Sequence, residues 1–227
     1  MIYNHVKVKD IPVIEQITAP DGTRVYSTPT GKKYPSVTTI LSSFNKQALI
    51  EWRKRVGEEE ANRISKRATN RGSKLHLQCE DYLNNKDVLS KLTIFDKPLF
   101  TSILPYLHRI DNVHVQEKRL FSNHLRLAGT VDCIAEFDGR LSVIDYKTAS
   151  RKKSREDIPT YFMQCAAYSI MYEELTGTPI DKLVIIMAIE DDDPLLFVEK
   201  RDTWVPELLR MRDQYEDRKS TRLNSSH

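Results

Sequence analysis

The chain has 227 residues, 40% hydrophobic and 30% charged, with seven glycines and a net charge of +3 from 35 Lys/Arg against 32 Asp/Glu. That length favours one domain or a tightly joined pair, and the composition excludes collagen-like, low-complexity and wholly disordered chains. The longest apolar run, residues 183–189, falls far short of the roughly 18 a membrane helix needs, and three scattered cysteines (Cys79, Cys133, Cys165) without a CxxC pair exclude a four-thiolate zinc or iron–sulfur site.

Up to residue 35, short β-like runs broken by Pro20-Asp21-Gly22 and Pro29-Thr30-Gly31 read as the edge strands of a small hairpin. Ser36 is placed to cap a helix, and 37–83 is helical in pattern, with apolar residues such as Leu49, Trp52, Val56 and Ile64, Ala68 at helical intervals; at least two helices fit. A further helix is expected over 98–110, disturbed at Pro105. The period then changes: 113–121, 129–137 and 141–147 read as consecutive strands. A helix follows over 159–176, with Pro159 in its first turn and Gly177 at its end. Strands at 182–189 and 195–200 and a helix at 205–217 complete a layered α/β fold. Residues 218–227 lack an apolar period and read as a disordered, non-native tail. The single domain is therefore 1–217, divided into strands (1–35), a helical part (36–110) and a core (111–217). No signal segment opens the chain, so the expected compartment is the cytoplasm, with no membrane partner.

Charge is unevenly distributed. Residues 46–74 carry nine Lys/Arg against four acids, and Lys147, Arg151, Lys152, Lys153 and Arg155 form a second basic cluster, while 190–193 is an acidic run. Either cluster could be a solvated face, but two around one site would track a phosphate backbone.

The strongest chemical signal is a hairpin. Asp138-Gly139 suits a two-residue type I′ turn, which pairs Phe137 with Arg140 and therefore places Asp132 opposite Asp145. Two carboxylates facing each other in apolar strands repel, and a divalent cation such as Mg²⁺ or Mn²⁺ resolves the conflict. Lys147, two residues past Asp145, points to the same face. Carboxylates, metal and lysine are the set that phosphodiester hydrolysis needs. An ordinary salt-bridged hairpin is the alternative.

Glu117 could add a ligand from the preceding strand, or be an exposed edge carboxylate. His76 and Glu80 share a helix face, with Gly72 one turn earlier where backbone could approach closely. Gln164 and Tyr168, also four apart, could brace the site or form a surface pair. Trp52 beside Arg53 could stack a base or belong to the core.

The ordered set His76, Gly129-Thr130-Val131-Asp132, Ile144-Asp145-Tyr146-Lys147-Thr148 and Gln164-Cys165-Ala166-Ala167-Tyr168 resembles the PD-(D/E)xK nuclease superfamily in its RecB-type branch, in particular phage exonucleases and the mitochondrial genome maintenance group. Tyr34-Pro35-Ser36-Val37-Thr38-Thr39-Ile40-Leu41, Trp52-Arg53 and 71–76 resemble that group's N-terminal helical part. The resemblance implies a restriction-endonuclease-like core, a central mixed sheet flanked by helices, and Mg²⁺- or Mn²⁺-dependent cleavage of DNA, favouring single strands or free ends. It implies Asp132 and Asp145 as metal ligands, Lys147 as catalytic lysine, His76 as ligand or proton relay, Gln164 and Tyr168 as support, and, more weakly, Glu117 as a ligand. No iron–sulfur cluster is expected, because the three cysteines match none of the positions that hold one. DNA-binding residues are expected among Trp52, Arg53, Arg67, Arg71, Lys74, Arg151, Lys152 and Lys153. The other readings are a catalytically degenerate nucleic-acid-binding module, a structure-specific endonuclease, and other phosphate chemistry at the Asp/Lys site. The last is disfavoured by the absence of a glycine-rich phosphate loop.

Overall fold

The computed structural model describes residues 1–18 and 23–224. The expected Pro20-Asp21-Gly22 turn lies outside the described residues. Strands β1 (Glu15–Thr18), β2 (Arg24–Ser27) and β3 (Lys33–Pro35) form a three-stranded antiparallel sheet. Ser36 then caps α1 (Val37–Ser43), its hydroxyl accepting the Thr39 N–H at 3.0 Å. Helices α2 (Lys46–Val56) and α3 (Glu58–Leu83) follow, separated by Gly57 at φ +89°, and α4 (Lys97–Leu107) runs through Pro105 without ending there.

The remaining strands build a five-stranded mixed sheet in sequence order: β4 (Ile110–Ser122), β5 (Leu127–Phe137), β6 (Arg140–Ala149), β7 (Lys182–Ile189) and β8 (Leu195–Lys200). Only β6 and β7 run parallel, which requires a crossover, and α5 (Pro159–Thr176) provides it. This is the mixed α/β architecture expected from the sequence.

Strand β7 shows why both sheet faces are covered. Leu183, Ile185, Met187 and Ile189 enter one core with α1, α5 and the last helix, α6 (Arg201–Asn224). Val184, Ile186 and Ala188 enter another with Leu75, Cys79 and Leu83 of α3 and Phe100, Ile103 and Leu107 of α4. A continuous apolar run is the signature of a strand buried on both sides. The small N-terminal sheet docks through a third cluster, in which Ile14, Tyr26 and Tyr34 meet Phe121 and Ala128.

Two expectations change. Helix α6 starts at Arg201 rather than 205 and continues to Asn224, so 218–224 is helical backbone instead of an irregular tail; its Arg, Lys and Leu residues are good helix formers even without an apolar stripe. Residues 225–227 lie outside the described residues. In addition, a Cβ at Gly72 would sit 3.8 Å from Thr148 Oγ1, an ordinary contact, so no close backbone approach requires glycine there.

Candidate metal centre

The Asp138-Gly139 turn sets the hairpin register as expected. Phe137 pairs with Arg140 and the ladder continues to Cys133 with Ile144. At the next position, Asp132 and Asp145, pairing stops: Asp132 Oδ2 accepts the Tyr146 N–H at 2.9 Å, so a side chain replaces the backbone acceptor and the strands part. On the other side of β5, the ladder steps from Gln116–Cys133 to Lys118–Val131, which puts Glu117 opposite Asp132. Glu117 adopts φ +45°, a left-handed conformation uncommon outside glycine, at the point where β4 faces this gap.

Helix α3 supplies the fourth group. His76 Nε2 lies 2.7 Å from the Tyr146 carbonyl. A carbonyl can only accept, so Nε2 carries the proton and Nδ1 of the neutral ring is bare. That nitrogen lies 3.4 Å from Asp132 Oδ2 and 3.9 Å from Glu117 Oε1. His76, Glu117 and Asp132 bring one ligand atom each to within 4.8 Å of one another. An imidazole nitrogen oriented by a hydrogen bond at its far side, together with two carboxylates, is a donor set suited to a divalent cation.

The electrostatics agree. Burial, reinforced by Asp132, raises the Glu117 carboxyl to about 7, and His76 offsets only part of that. Asp145 is 2% exposed, and burial raises its carboxyl despite the adjacent Lys147. Lys147 Nζ lies 2.7 Å from Asp145 Oδ1 and 2.6 Å from Oδ2, and it also lies over the Tyr161 ring at 4.9 Å. Burial opposes the Lys147 charge, but Asp145 and Asp132 together outweigh it and raise the ammonium above its ordinary value. One ammonium thus serves two acids. Asp145 Oδ2 is buried against that ammonium at 2.6 Å and makes no other contact of hydrogen-bond geometry among the described residues, so a second lone pair remains for a cation. The residues present fit a divalent ion.

A model of the PD-(D/E)XK nuclease superfamily matches residues 39–220, which includes every one of these groups. The chain belongs to the PD-(D/E)XK nuclease superfamily. It is 25% identical over 207 residues to mitochondrial genome maintenance exonuclease 1 of Homo sapiens, covering 82% of this chain and 59% of that protein. The Xenopus tropicalis counterpart is 29% identical over 176 residues, covering 70% of this chain and 50% of its own. The chain therefore spans half to three-fifths of the length of these relatives. A crystal structure from Eubacterium rectale aligns over 66% of this chain and 65% of its own, with 15% identity and a TM-score of 0.46.

As a PD-(D/E)XK chain, the protein gathers the expected site residues unevenly. His76, Glu117 and Asp132 converge; Asp145 and Lys147 stand beside them as an ion pair outside that three-residue cluster. Gln164 and Tyr168 are buried, not a surface pair, with Gln164 Nε2 3.4 Å from the Tyr168 hydroxyl, and both line the same small cavity as Asp132 and Glu117. Trp52 is half-buried on α2, a helix with no buried residue, so it is not a core residue.

Folding closes part of the expected separation of charge. The acidic run at the end of β7 meets both basic clusters, Glu190 pairing with Arg67 at 2.8 Å and with Arg71, and Asp192 with Lys152 at 2.8 Å; separately, Asp96 ahead of α4 takes Lys74 at 2.5 Å. Arg53 is held by Glu58 at 2.5 Å. Of the expected DNA-binding cations, only Arg151 and Lys153 make no ion pair among the described residues. Arg67 meets Glu190 across 123 residues because α3 packs on the sheet that carries it.

Sequence reasoning passed over Arg24, Ser36 and Thr38 as neighbours of the metal centre, although all three share its cavity wall. Docking of the N-terminal sheet brings them there, and nothing in their local pattern signals it. Gly129 has a stated physical role as well. A Cβ there would lie 2.8 Å from Tyr168 Cε1 and 2.9 Å from its hydroxyl. Gly129→Ala is expected to cost about 1–3 kcal/mol in urea unfolding through overpacking, whereas Gly72→Ala costs nothing or stabilises.

Proposed function

We propose that the protein is a Mg²⁺- or Mn²⁺-dependent deoxyribonuclease that degrades DNA from free ends, favouring single strands, in phage, bacterial or organellar DNA processing. The observation that carries this reading is the convergence of His76, Glu117 and Asp132 beside the buried Asp145–Lys147 pair. It is supported by the family and by relatives whose names describe exonucleases.

A divalent cation held by His76, Glu117, Asp132 and Oδ2 of Asp145 would polarise the phosphoryl group and acidify an attacking water. The chain's own groups do the rest. Tyr146 orients two of the ligands: its N–H fixes the Asp132 carboxylate, and its carbonyl fixes the His76 tautomer. Lys147, held protonated, faces the same spot and stabilises the charge that develops on the phosphate as water adds to phosphorus and the P–O bond to the leaving strand breaks. Gln164 and Tyr168 close the interior side of the site.

The test is an end-labelled single-stranded oligonucleotide with Mn²⁺, compared with EDTA and with a circular single strand. Degradation of the linear strand alone, lost on chelation, is the expected result. Cutting of the circle would make the enzyme an endonuclease, and salt-sensitive binding without cleavage would make it a degenerate binding module.

A further inference from the structure

On the β2 side of the metal centre lies a polar cavity of about 210 Å³ whose walls include Arg24, Ser36, Thr38 and Thr130 together with Asp132 and Glu117. It is smaller than the ~300–1,000 Å³ usual for drug-sized ligands, so it suits one small polar group. Arg24 Nη2 donates to Thr38 Oγ1 at 2.5 Å, and among the described residues no carboxylate stands within ion-pair distance of this guanidinium. That sets Arg24 apart from Arg67, Arg71, Lys74 and Lys147, each of which faces an acid. Thr38 Oγ1 is itself 3.0 Å from Ser36 Oγ, which lies 2.8 Å from Thr39 Oγ1, so the arginine rests on a linked row of hydroxyls.

The two walls have opposite chemistry. Arg24 and the hydroxyls suit an anion, whereas Asp132 and Glu117 suit a cation. One ligand satisfies both: an anion that itself coordinates a metal, which is what a phosphodiester does. We propose that Arg24, steadied by Thr38, holds a backbone phosphate of the substrate strand across the metal centre. This rests on the nuclease reading above and adds to it a contact from the N-terminal sheet, outside the residues of the Asp-x-Lys hairpin. The planar guanidinium fork can take two phosphate oxygens at once, a geometry lysine does not reproduce. The Arg24 side chain is exposed, so its substitution leaves the fold in place.

The experiment measures binding of a fluorescent single-stranded oligonucleotide in Ca²⁺ by anisotropy, alongside cleavage kinetics in Mn²⁺. Arg24→Gln is expected to weaken binding roughly 10- to 100-fold and to raise KM more than it lowers kcat, with Arg24→Lys recovering only part. A single neutral methylphosphonate linkage, walked along the oligonucleotide, identifies the phosphate: at one position it weakens the wild type but not Arg24→Gln. Unchanged binding in Arg24→Gln, or equal methylphosphonate losses in both proteins, overturns the clamp while leaving the nuclease reading standing. A wild type that neither binds nor cleaves overturns both.

Discussion

Asp132→Asn is expected to lower kcat by about 10³-fold or more in saturating Mn²⁺ while the protein still unfolds in one cooperative transition. The substitution separates the two tasks of this side chain. Its structural task is to accept the Tyr146 N–H where β5 and β6 part, and an amide oxygen can still do that. Its chemical task is to bring negative charge against His76 Nδ1 and Glu117, and an amide cannot. Removing that charge costs metal affinity as well as rate, since the remaining cluster of His76 and Glu117 has a single carboxylate. Isothermal titration with Mn²⁺ should therefore show weakened binding in parallel with the kinetic loss. Full activity in a folded Asp132→Asn protein would remove the metal centre from the reaction.

The largest effect on stability is expected at Lys147. Lys147→Met leaves Asp145, 2% exposed, without the ammonium that balances it, and breaking a buried pair in this way costs about 3–5 kcal/mol. The double variant Lys147→Met with Asp145→Asn should recover most of that loss in chemical denaturation, because no uncompensated charge remains. Both variants should lack nuclease activity. The single variant also tests whether Asp145 joins the ligand set. If its Oδ2 takes a cation, Mn²⁺ raises the melting temperature of Lys147→Met more than that of the wild type, since the ion then replaces the missing ammonium. Equal shifts would confine the ligands to His76, Glu117 and Asp132.

Much of this site could be read locally. The Asp138-Gly139 turn dictates a register that holds as far as Cys133–Ile144, and the two-residue period of a strand puts Lys147 on the face of Asp145. The apolar run 183–189, the proline and glycine bounding α5 and the Ser36 cap are equally short-range signals, and the structure keeps each of them. Charge was legible only in part. Counting Lys and Arg along 46–74 identifies a basic stretch, but which of those charges meet a partner depends on what its helices pack against, and Arg67, Arg71 and Lys74 meet Glu190 and Asp96.

The sequence by itself determined the order of strands and helices, the hairpin register and the shared face of Asp145 and Lys147, because turn chemistry and hydrophobic period act between residues a few positions apart. Only the tertiary structure decided which groups meet. His76 reaches the Tyr146 carbonyl across 70 residues, Glu117 faces the gap through a positive φ that no pattern announces, and Arg24 arrives with a small sheet docked on Phe121 and Ala128. Those placements follow from how apolar faces stack on a twisted sheet, and the candidate metal centre is assembled from side chains that this stacking brings together.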